Sequence, residues 1–288
     1  MSIDRVDSKR TGLLKLSKLR RFVMLGIMLL FLMQFLKIKV LVGGLTGSLA
    51  VWFVRLIDVF AYFESLFASR DFTTRGGEVT VALVSVLPII GIYLVFGRAF
   101  CGWICPMDFL FEIMDRMRVR IQRKETTFKI PLETGYVFIL IFLLASMLSE
   151  VPFFTNYLSH LTNLFRFLTG AFFISFALPF SPVVLVYSGG IIMLFLGLEY
   201  LKPRLWCRVL CPVGKIYGAF NKISLLSLRF SEGECGECGL CDQVCYMGVK
   251  IAQNIDRPGL RDTNCIYCGR CVEGCETKGR LIKMKIGG

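Results

Sequence analysis

The sequence predicts an all-α membrane domain of four transmembrane helices, arranged as two parallel two-helix repeats, followed by a small cysteine-rich α+β domain. Three observations carry this prediction. The 288-residue chain is 55% hydrophobic, with a mean hydropathy of +0.64, whereas soluble domains are about 45–50% apolar. Its charged residues separate long apolar runs, and eight of its twelve cysteines lie near the C-terminal end. The predicted parts are a basic tail (1–21), the membrane domain (22–229) and the cysteine-rich domain (230–288).

The positive charge of the chain follows the predicted helices. The formal net charge is +13, a value that is also typical of domains that bind nucleic acid. Here, however, the basic residues lie at the ends of apolar segments, as expected for cytoplasmic loops of a membrane protein. Seven of them precede Phe22. This placement predicts a cytoplasmic N-terminus and argues against nucleic acid as a partner.

Four apolar runs have about the 20 residues that a helix needs to cross a bilayer; they are residues 22–42, 79–97, 132–151 and 183–201. Glycines interrupt residues 43–78, which predicts an outer-face loop and an interfacial helix, with a re-entrant segment as the alternative. Residues 152–170 are predicted to form a second outer loop. An even number of spans would place both termini in the cytoplasm, in a multi-pass protein of the bacterial inner membrane.

Two Cys-x3-Cys-Pro motifs follow the second and fourth predicted spans; their cysteines are Cys101 and Cys105, then Cys207 and Cys211. Matching cysteines are separated by 106 residues. This interval predicts a two-helix unit used twice in the same direction, around an axis along the membrane normal. Cysteines four residues apart share one face of a helix. The four cysteines are therefore either ligands of a further metal or iron–sulfur site, shared between the halves, or small buried core residues.

The C-terminal part contains the spacing Cys-x2-Cys-x2-Cys-x3-Cys twice, first in Cys235, Cys238, Cys241 and Cys245, then in Cys265, Cys268, Cys271 and Cys275. In this spacing a tight loop can bring one thiolate after another to the corners of a cubane cluster. Zinc sites pair two Cys-x2-Cys arms and need no third cysteine at the next step. Disulfides are disfavoured in a cytosolic segment. The spacing therefore predicts two [4Fe–4S] clusters.

The cysteine-rich segment resembles bacterial two-cluster ferredoxins, in which the fourth cysteine of each run ligates the other cluster. The resemblance implies one cluster on Cys235, Cys238, Cys241 and Cys275, and another on Cys265, Cys268, Cys271 and Cys245. The sequence departs from these ferredoxins at the residue after the fourth cysteine, which is usually proline. This residue is Tyr246 in the first run and Glu276 in the second.

Taken together, the predicted spans, the two Cys-x3-Cys-Pro motifs and the two ferredoxin runs resemble the NapH/MauN family of membrane-bound ferredoxin-type proteins. The resemblance covers nearly the whole chain. It implies a quinol dehydrogenase component that takes its substrate, quinol, from the membrane quinone pool. Electrons would pass through [4Fe–4S] clusters to a NapG-like ferredoxin-type subunit and on to a periplasmic reductase, in the first place nitrate reductase.

A quinol site needs a hydrogen-bonding group beside an apolar slot and a redox centre. The candidate side chains are Glu64 and Asp58 in the first predicted outer segment, His160 in the second, and Glu150 just before the second. Ionisable residues near a membrane are functional candidates, although each of these also fits a surface or packing role. The alternative function is a non-catalytic iron–sulfur membrane anchor or an assembly factor of a respiratory enzyme. A transporter is disfavoured because the predicted spans show no path of charged residues.

Overall fold

The structure is a computed structural model. It describes residues 16–33, 41–44, 48–51, 54–68, 76–120, 133–176, 179–231, 235, 238–257, 259–276 and 281–287. The chain forms two compact units. The first comprises Met1–Leu25, Ile92–Lys124 and Gly214–Gly288, and the second comprises Gly26–Gly91 and Glu125–Val213.

The described residues are mainly helical. In chain order, the α-helices are α1 (Leu16–Met33), α2 (Val59–Ala68), α3 (Gly76–Phe96), α4 (Ala99–Trp103), α5 (Pro106–Arg120), α6 (Thr134–Ser149), α7 (His160–Ser175), α8 (Pro182–Leu201), α9 (Pro212–Phe220), α10 (Leu240–Gln243) and α11 (Arg270–Glu276). Two single π-helical turns are π1 (Phe154–Leu158) and π2 (Trp206–Leu210). The strands are β1 (Leu41–Gly44), β2 (Ser48–Val51), β3 (Val54–Leu56), β4 (Leu226–Phe230) and β5 (Ile282–Ile286).

The core of the first unit is built around α9. Tyr217 of α9 stacks on Tyr93, with ring centroids 3.5 Å apart, and the Phe100 ring meets both tyrosines edge-on. The chain then enters β4, which pairs antiparallel with β5 so that Leu226 lies opposite Ile286. These two strands flank the cysteine-rich segment in sequence and bring its two ends together.

The second unit contains two packed helix pairs, α2 with α6 and α7 with α8. Helix α2 begins where the Asp58 carboxylate accepts hydrogen bonds from the amides of Phe60 and Ala61, the usual arrangement of an N-cap. Strands β1, β2 and β3 precede this helix and form an antiparallel sheet in that order. The predicted outer loop at 152–170 is instead largely helical, because it contains π1 and most of α7.

The prediction of four transmembrane helices is wrong. Among the described residues, α8 alone is long and apolar enough to cross a membrane. Helix α6 has 16 residues, which at 1.5 Å per residue is about 24 Å and shorter than a hydrocarbon core of about 30 Å. The apolar stretch described in α3, Val84–Phe96, is shorter still. Helix α1 begins at Leu16, ends at Met33 and includes three basic residues.

The prediction of a separate α+β ferredoxin-like fold is not supported either. The described cysteine-rich region has the pair β4 and β5, the short helices α10 and α11, and otherwise irregular backbone. It belongs to the same compact unit as residues 92–124. Loops that close around clusters need little regular secondary structure, and this explains why the region has no clear α+β fold. The predicted domain boundaries at 21/22 and 229/230 stay a prediction.

Candidate iron–sulfur site

Four predicted ligands line one pocket in the first unit: Cys245, Cys265, Cys268 and Cys271. Its other walls are mostly apolar or aromatic, among them Met247, Val249, Ile251, Ile266 and Tyr267. The four cysteines are the set that the resemblance to two-cluster ferredoxins assigns to one cluster.

Short helices and a tight turn position these cysteines. Cys245 follows α10, and Cys271 lies in the first turn of α11. Between Cys268 and α11, Gly269 has a φ of +80°, a left-handed conformation that glycine adopts without steric cost. A Cβ atom at Gly269 would also lie 2.1 Å from Cδ2 of Leu16 in α1. The turn therefore requires glycine for its backbone angle, whereas the end of the flexible Leu16 side chain can move.

The pocket holds its thiols in an environment that disfavours thiolate. Burial raises the pKa of Cys265 and of Cys271, and the neighbouring Cys268 and Cys245 raise both pKa values further. These mutual effects mean that the four sulfur atoms lie near one another. Bound iron would supply the positive charge that stabilises thiolates at such a place. The all-cysteine donor set of this pocket fits an iron–sulfur cluster.

A single metal ion fits the described residues less well. Nowhere in the described part of the chain do three or more His, Cys, Asp or Glu side chains lie close enough to hold one ion. A cubane cluster distributes its four thiolates over four different irons, so the sulfur atoms stand farther apart than around one zinc ion.

The second predicted ligand set lies around α10 and α11, which pack side by side. Cys241 is in α10 and Cys275 is in α11. Burial raises the pKa of Cys241 to about 11, with smaller contributions from Asp242 and then Cys235. Cys238 is exposed at the surface. The ligand assignments of both sets stay predictions.

The first Cys-x3-Cys-Pro motif packs directly on a loop of the pocket. Trp103 Nε1 donates a hydrogen bond of 2.9 Å to the carbonyl oxygen of Tyr267. Gly102 lies so close to the same loop that a Cβ atom there would be 2.3 Å from the carbonyl oxygen of Ile266. Cys101 and Cys105 flank Gly102 and Trp103 in the sequence, and they therefore lie close to the Cys265–Cys268 loop.

Replacement of Gly102 by alanine should destabilise the cysteine loop. The new methyl group would clash with backbone atoms, which cannot rotate away, so the loop must shift. We expect a loss of about 1–3 kcal/mol in the free energy of unfolding, as for overpacked sites, together with lower iron content. Gly190→Ala is the matched control, because nothing lies within 4 Å of a Cβ atom at Gly190. Equal iron content and stability in the two variants would contradict this account of Gly102.

The two Cys-x3-Cys-Pro motifs share one backbone hydrogen bond, although the first begins in an α-helical turn and the second in a π-helical turn. The amide of Cys105 donates to the carbonyl of Phe100 (3.1 Å), and the amide of Cys211 donates to that of Trp206 (2.8 Å). Each bond joins residues five apart, as in a π-turn, a form frequent at functional sites. A proline, which needs no amide partner there, then opens the next helix. The 106-residue interval thus relates this hydrogen bond in the two motifs.

Sequence reasoning missed a further part of the repeat. Arg98 and Arg204 each lie three residues before the first cysteine of a motif, and both are at most 1% exposed. Arg98 donates to the carbonyl of Thr263 at 3.1 Å. Arg204 pairs with the buried Glu199 at 3.7 Å. The available signal was the same 106-residue interval, which relates the two arginines as it relates the cysteines.

The quinone candidates His160 and Glu64 lie in the second unit, at two ends of an aromatic cluster. Trp206, next to Cys207, donates a hydrogen bond of 3.1 Å from Nε1 to Nδ1 of His160. Its ring also lies nearly parallel to that of Phe154, with centroids 6.3 Å apart. Burial lowers the pKa of His160 to about 4. The imidazole is therefore neutral, and its proton resides on Nε2.

The Glu64 carboxylate is completely buried and surrounded by donors. It accepts hydrogen bonds from the amide of Phe154 (2.7 Å), from the amide and hydroxyl of Thr155 (2.9 and 2.5 Å) and from the hydroxyl of Ser146 (2.8 Å). The Ser146 hydroxyl has one hydrogen, which it shares between Glu64 and the carbonyl oxygen of Phe142, also at 2.8 Å. Glu64 thus anchors the start of π1 to α2 and α6.

The structure does not bring the other two quinone candidates into this cluster. Asp58 caps α2 as described above. Glu150 follows the last turn of α6, with a φ of +57°, and is exposed. The four side chains therefore do not form one site.

Comparisons with known proteins agree with this picture. The family described as 4Fe-4S binding domain matches residues 79–125 and 180–231. These two segments contain the two Cys-x3-Cys-Pro motifs. An uncharacterised protein of Methanocaldococcus jannaschii is 27% identical over 81% of this chain and 83% of its own length. The ferredoxin-type protein NapH of Haemophilus influenzae is 26% identical over 90% of this chain and 86% of its own.

The methylamine utilization ferredoxin-type protein MauN of Methylorubrum extorquens is 30% identical over 70% of this chain and 69% of its own length. The chain belongs to the NapH/MauN family of ferredoxin-type proteins. No solved structure matches the chain. Family membership confirms the predicted resemblance, and the 4Fe-4S match supports the predicted iron–sulfur chemistry. The number of clusters, the third metal site and the quinol substrate stay predictions.

Proposed function

We propose that this protein is an electron-transfer subunit that oxidises membrane quinol and passes electrons through two [4Fe–4S] clusters toward a periplasmic reductase. The pocket formed by Cys245, Cys265, Cys268 and Cys271 is the observation that carries the proposal. Clusters bound there and at the second ligand set would accept and release single electrons. As in the resemblance stated above, a NapG-like ferredoxin-type subunit would take these electrons, and nitrate reductase would be the terminal enzyme.

The apolar surface of the second unit supports a location in the bacterial inner membrane. Helix α8 has 20 residues, about 30 Å in length, which suits the hydrocarbon core. Val183 and Val186 of α8 are 73% and 74% exposed, and Leu148 of α6 is 75% exposed. Large exposed apolar patches are unfavourable in water. Contact of these side chains with lipid would remove that cost.

The four cysteines of the Cys-x3-Cys-Pro motifs are further candidates for iron binding. The 4Fe-4S family match falls on the segments that contain them, and the first motif packs against the Cys265–Cys268 loop. A shared third site, predicted from the repeat, would need ligands from both motifs. It stays a prediction.

Among the quinone candidates, His160 has the contacts that best suit a quinone oxygen. Trp206 occupies Nδ1 of the imidazole, so the Nε2–H group is the one that can donate to a quinone carbonyl oxygen. Oxidation of a quinol releases two electrons to the clusters and two protons to solvent water; an imidazole with Nδ1 occupied would orient the head group and take up neither proton. Glu64, whose carboxylate already accepts four hydrogen bonds, is less suited to receive these protons.

Electron exchange with quinone tests the proposal. The protein would be purified without oxygen, placed in lipid nanodiscs, reduced with dithionite, freed of excess reductant and mixed with a menaquinone analogue. We expect the visible absorbance and the electron paramagnetic resonance (EPR) signals to show rapid reoxidation of the clusters. In His160→Gln the reoxidation should slow by about tenfold, the equivalent of one hydrogen bond.

Glu150→Gln provides the matched control, because this exposed side chain lies outside the aromatic cluster. Reduced clusters that do not react with quinone in the wild-type protein would contradict the proposal. That result would favour the alternative of an iron–sulfur membrane anchor or assembly factor. A normal rate in His160→Gln, with rapid reoxidation in the wild type, would reject His160 alone.

A further inference from the structure

Tyr246 stands where two-cluster ferredoxins usually have proline, and its side chain makes two contacts with arginines. Tyr246 follows Cys245 and lines the same pocket, as does Arg270, which precedes Cys271. The Tyr246 hydroxyl accepts a hydrogen bond of 2.7 Å from Arg20. The guanidinium carbon of Arg270 lies 4.3 Å from the centroid of the Tyr246 ring, within the range of a cation–π contact.

Arg20 is a buried cation beside the pocket. Its side chain is 0% exposed and pairs with Asp108 at 3.2 Å. Burial by itself would lower the pKa of Arg20, but its neighbours Tyr246, Asp108 and Cys268 more than reverse this effect and raise it. The contribution of Cys268 means that a predicted cluster ligand lies within electrostatic reach of the Arg20 guanidinium.

The buried Glu112 carboxylate pairs with Arg20 and also with other arginines. The Glu112 carboxylate is almost wholly buried and contacts four arginines: Arg20, Arg21 (2.5 Å), Arg116 (3.1 Å) and Arg270 (2.9 Å). Four guanidinium groups thus surround one carboxylate, with Asp108 as a second. The four arginines outnumber the two acidic residues, Glu112 and Asp108, so the net charge of this group is positive. Two of its members, Arg20 and Arg270, also contact Tyr246 at the pocket wall.

We infer that Arg20 and Arg270, oriented by Glu112 and Tyr246, raise the reduction potential of the cluster held by Cys245, Cys265, Cys268 and Cys271. Reduction adds one electron to the cluster and forms no new bond, so nearby fixed positive charge favours the reduced state. The inference rests on the proposed function and its ligand assignment. This cluster would be the one at which electrons collect, and the cluster near the exposed Cys238 would have the lower potential.

A redox titration followed by EPR tests this inference. Wild-type protein should show two midpoint potentials. In Arg270→Gln one midpoint should fall, so that at the original midpoint the ratio of reduced to oxidised cluster drops by about tenfold, or 59 mV. The midpoint potential of the other cluster should not change. Arg270→Lys keeps the charge and should restore the potential, although not the planar stacking contact.

Arg116→Gln is the matched control, because Arg116 contacts Glu112 but is 55% exposed and does not line the pocket. Unchanged midpoints in Arg270→Gln, or an equal fall in Arg116→Gln, would overturn the inference. A wild-type protein that assembles fewer than two clusters would instead contradict the proposed function.

A second measurement does not depend on the stability of the arginine variants. Cys238→Ala changes an exposed ligand of the other predicted cluster, and should leave the pocket cluster alone in place. The remaining midpoint should equal the higher of the two wild-type values. If the lower value remains, the assignment of the higher potential to the pocket is wrong.

Discussion

Replacement of Cys268 by alanine should remove one of the two predicted clusters and leave the other in place. The pocket would then offer three thiolates, and the fourth iron of a cubane would lack a protein ligand. We expect the iron content to fall by about four atoms per chain. The EPR spectrum of the reduced protein should lose one of its two signals, and reoxidation by quinone should be lost or strongly slowed.

Met247→Leu is the control for this variant, because Met247 lines the same pocket and offers no thiolate. Leucine has nearly the same volume, and such substitutions usually cost less than about 1.5 kcal/mol. Iron content and both signals should remain. Full iron content in Cys268→Ala would contradict the ligand assignment. Loss of both clusters in that variant would mean that the two ligand sets assemble only together.

Replacement of Glu64 by glutamine should strongly destabilise the second unit. The amide NH2 group of glutamine would meet donors where the carboxylate now accepts four hydrogen bonds, from residues on α6 and π1. A buried donor that loses its acceptor costs about 1–3 kcal/mol, and several donors are affected here. That amount is a large part of the total stability of a typical protein. Thermal and denaturant unfolding in nanodiscs would measure the loss.

Glu150→Gln is the comparison, since this side chain is exposed and its replacement should change the free energy of unfolding by no more than about 0.5 kcal/mol. Similar stability of Glu64→Gln and wild type would contradict the anchoring role of Glu64. If quinone reactivity were then lost while stability and clusters remained normal, Glu64 would belong to the quinone site. The two roles of Glu64 are therefore separable.

The local arrangement of the ferredoxin runs and of the Cys-x3-Cys-Pro motifs can be predicted in part from the sequence. The spacing of Cys265, Cys268 and Cys271 predicts converging thiolates, since a few residues of loop determine where such side chains point. Cys245 joins them in the structure, as the resemblance to two-cluster ferredoxins implies. The 106-residue interval likewise predicts that both Cys-x3-Cys-Pro motifs have the same local form.

The prediction of four transmembrane helices failed for a different reason. Apolar runs identify segments that avoid water, but they do not determine where a helix starts or ends. Helix α1 begins at Leu16 and buries Arg20, because Glu112 and Asp108, about ninety residues away, neutralise its charge. Hydropathy assigns a high cost to such an arginine and cannot include a distant partner.

The sequence by itself therefore determined the family, and it predicts the cysteine ligand pattern and the equivalence of the two Cys-x3-Cys-Pro motifs. These features depend on short spacings and on the identity of nearby residues. Only the tertiary structure decided that Gly102 and Trp103 pack on the Cys265–Cys268 loop, that Tyr246 lies between two arginines, and that His160 meets Trp206. Each of these contacts joins residues far apart in the chain, and its free energy depends on burial and on partners that no local pattern specifies.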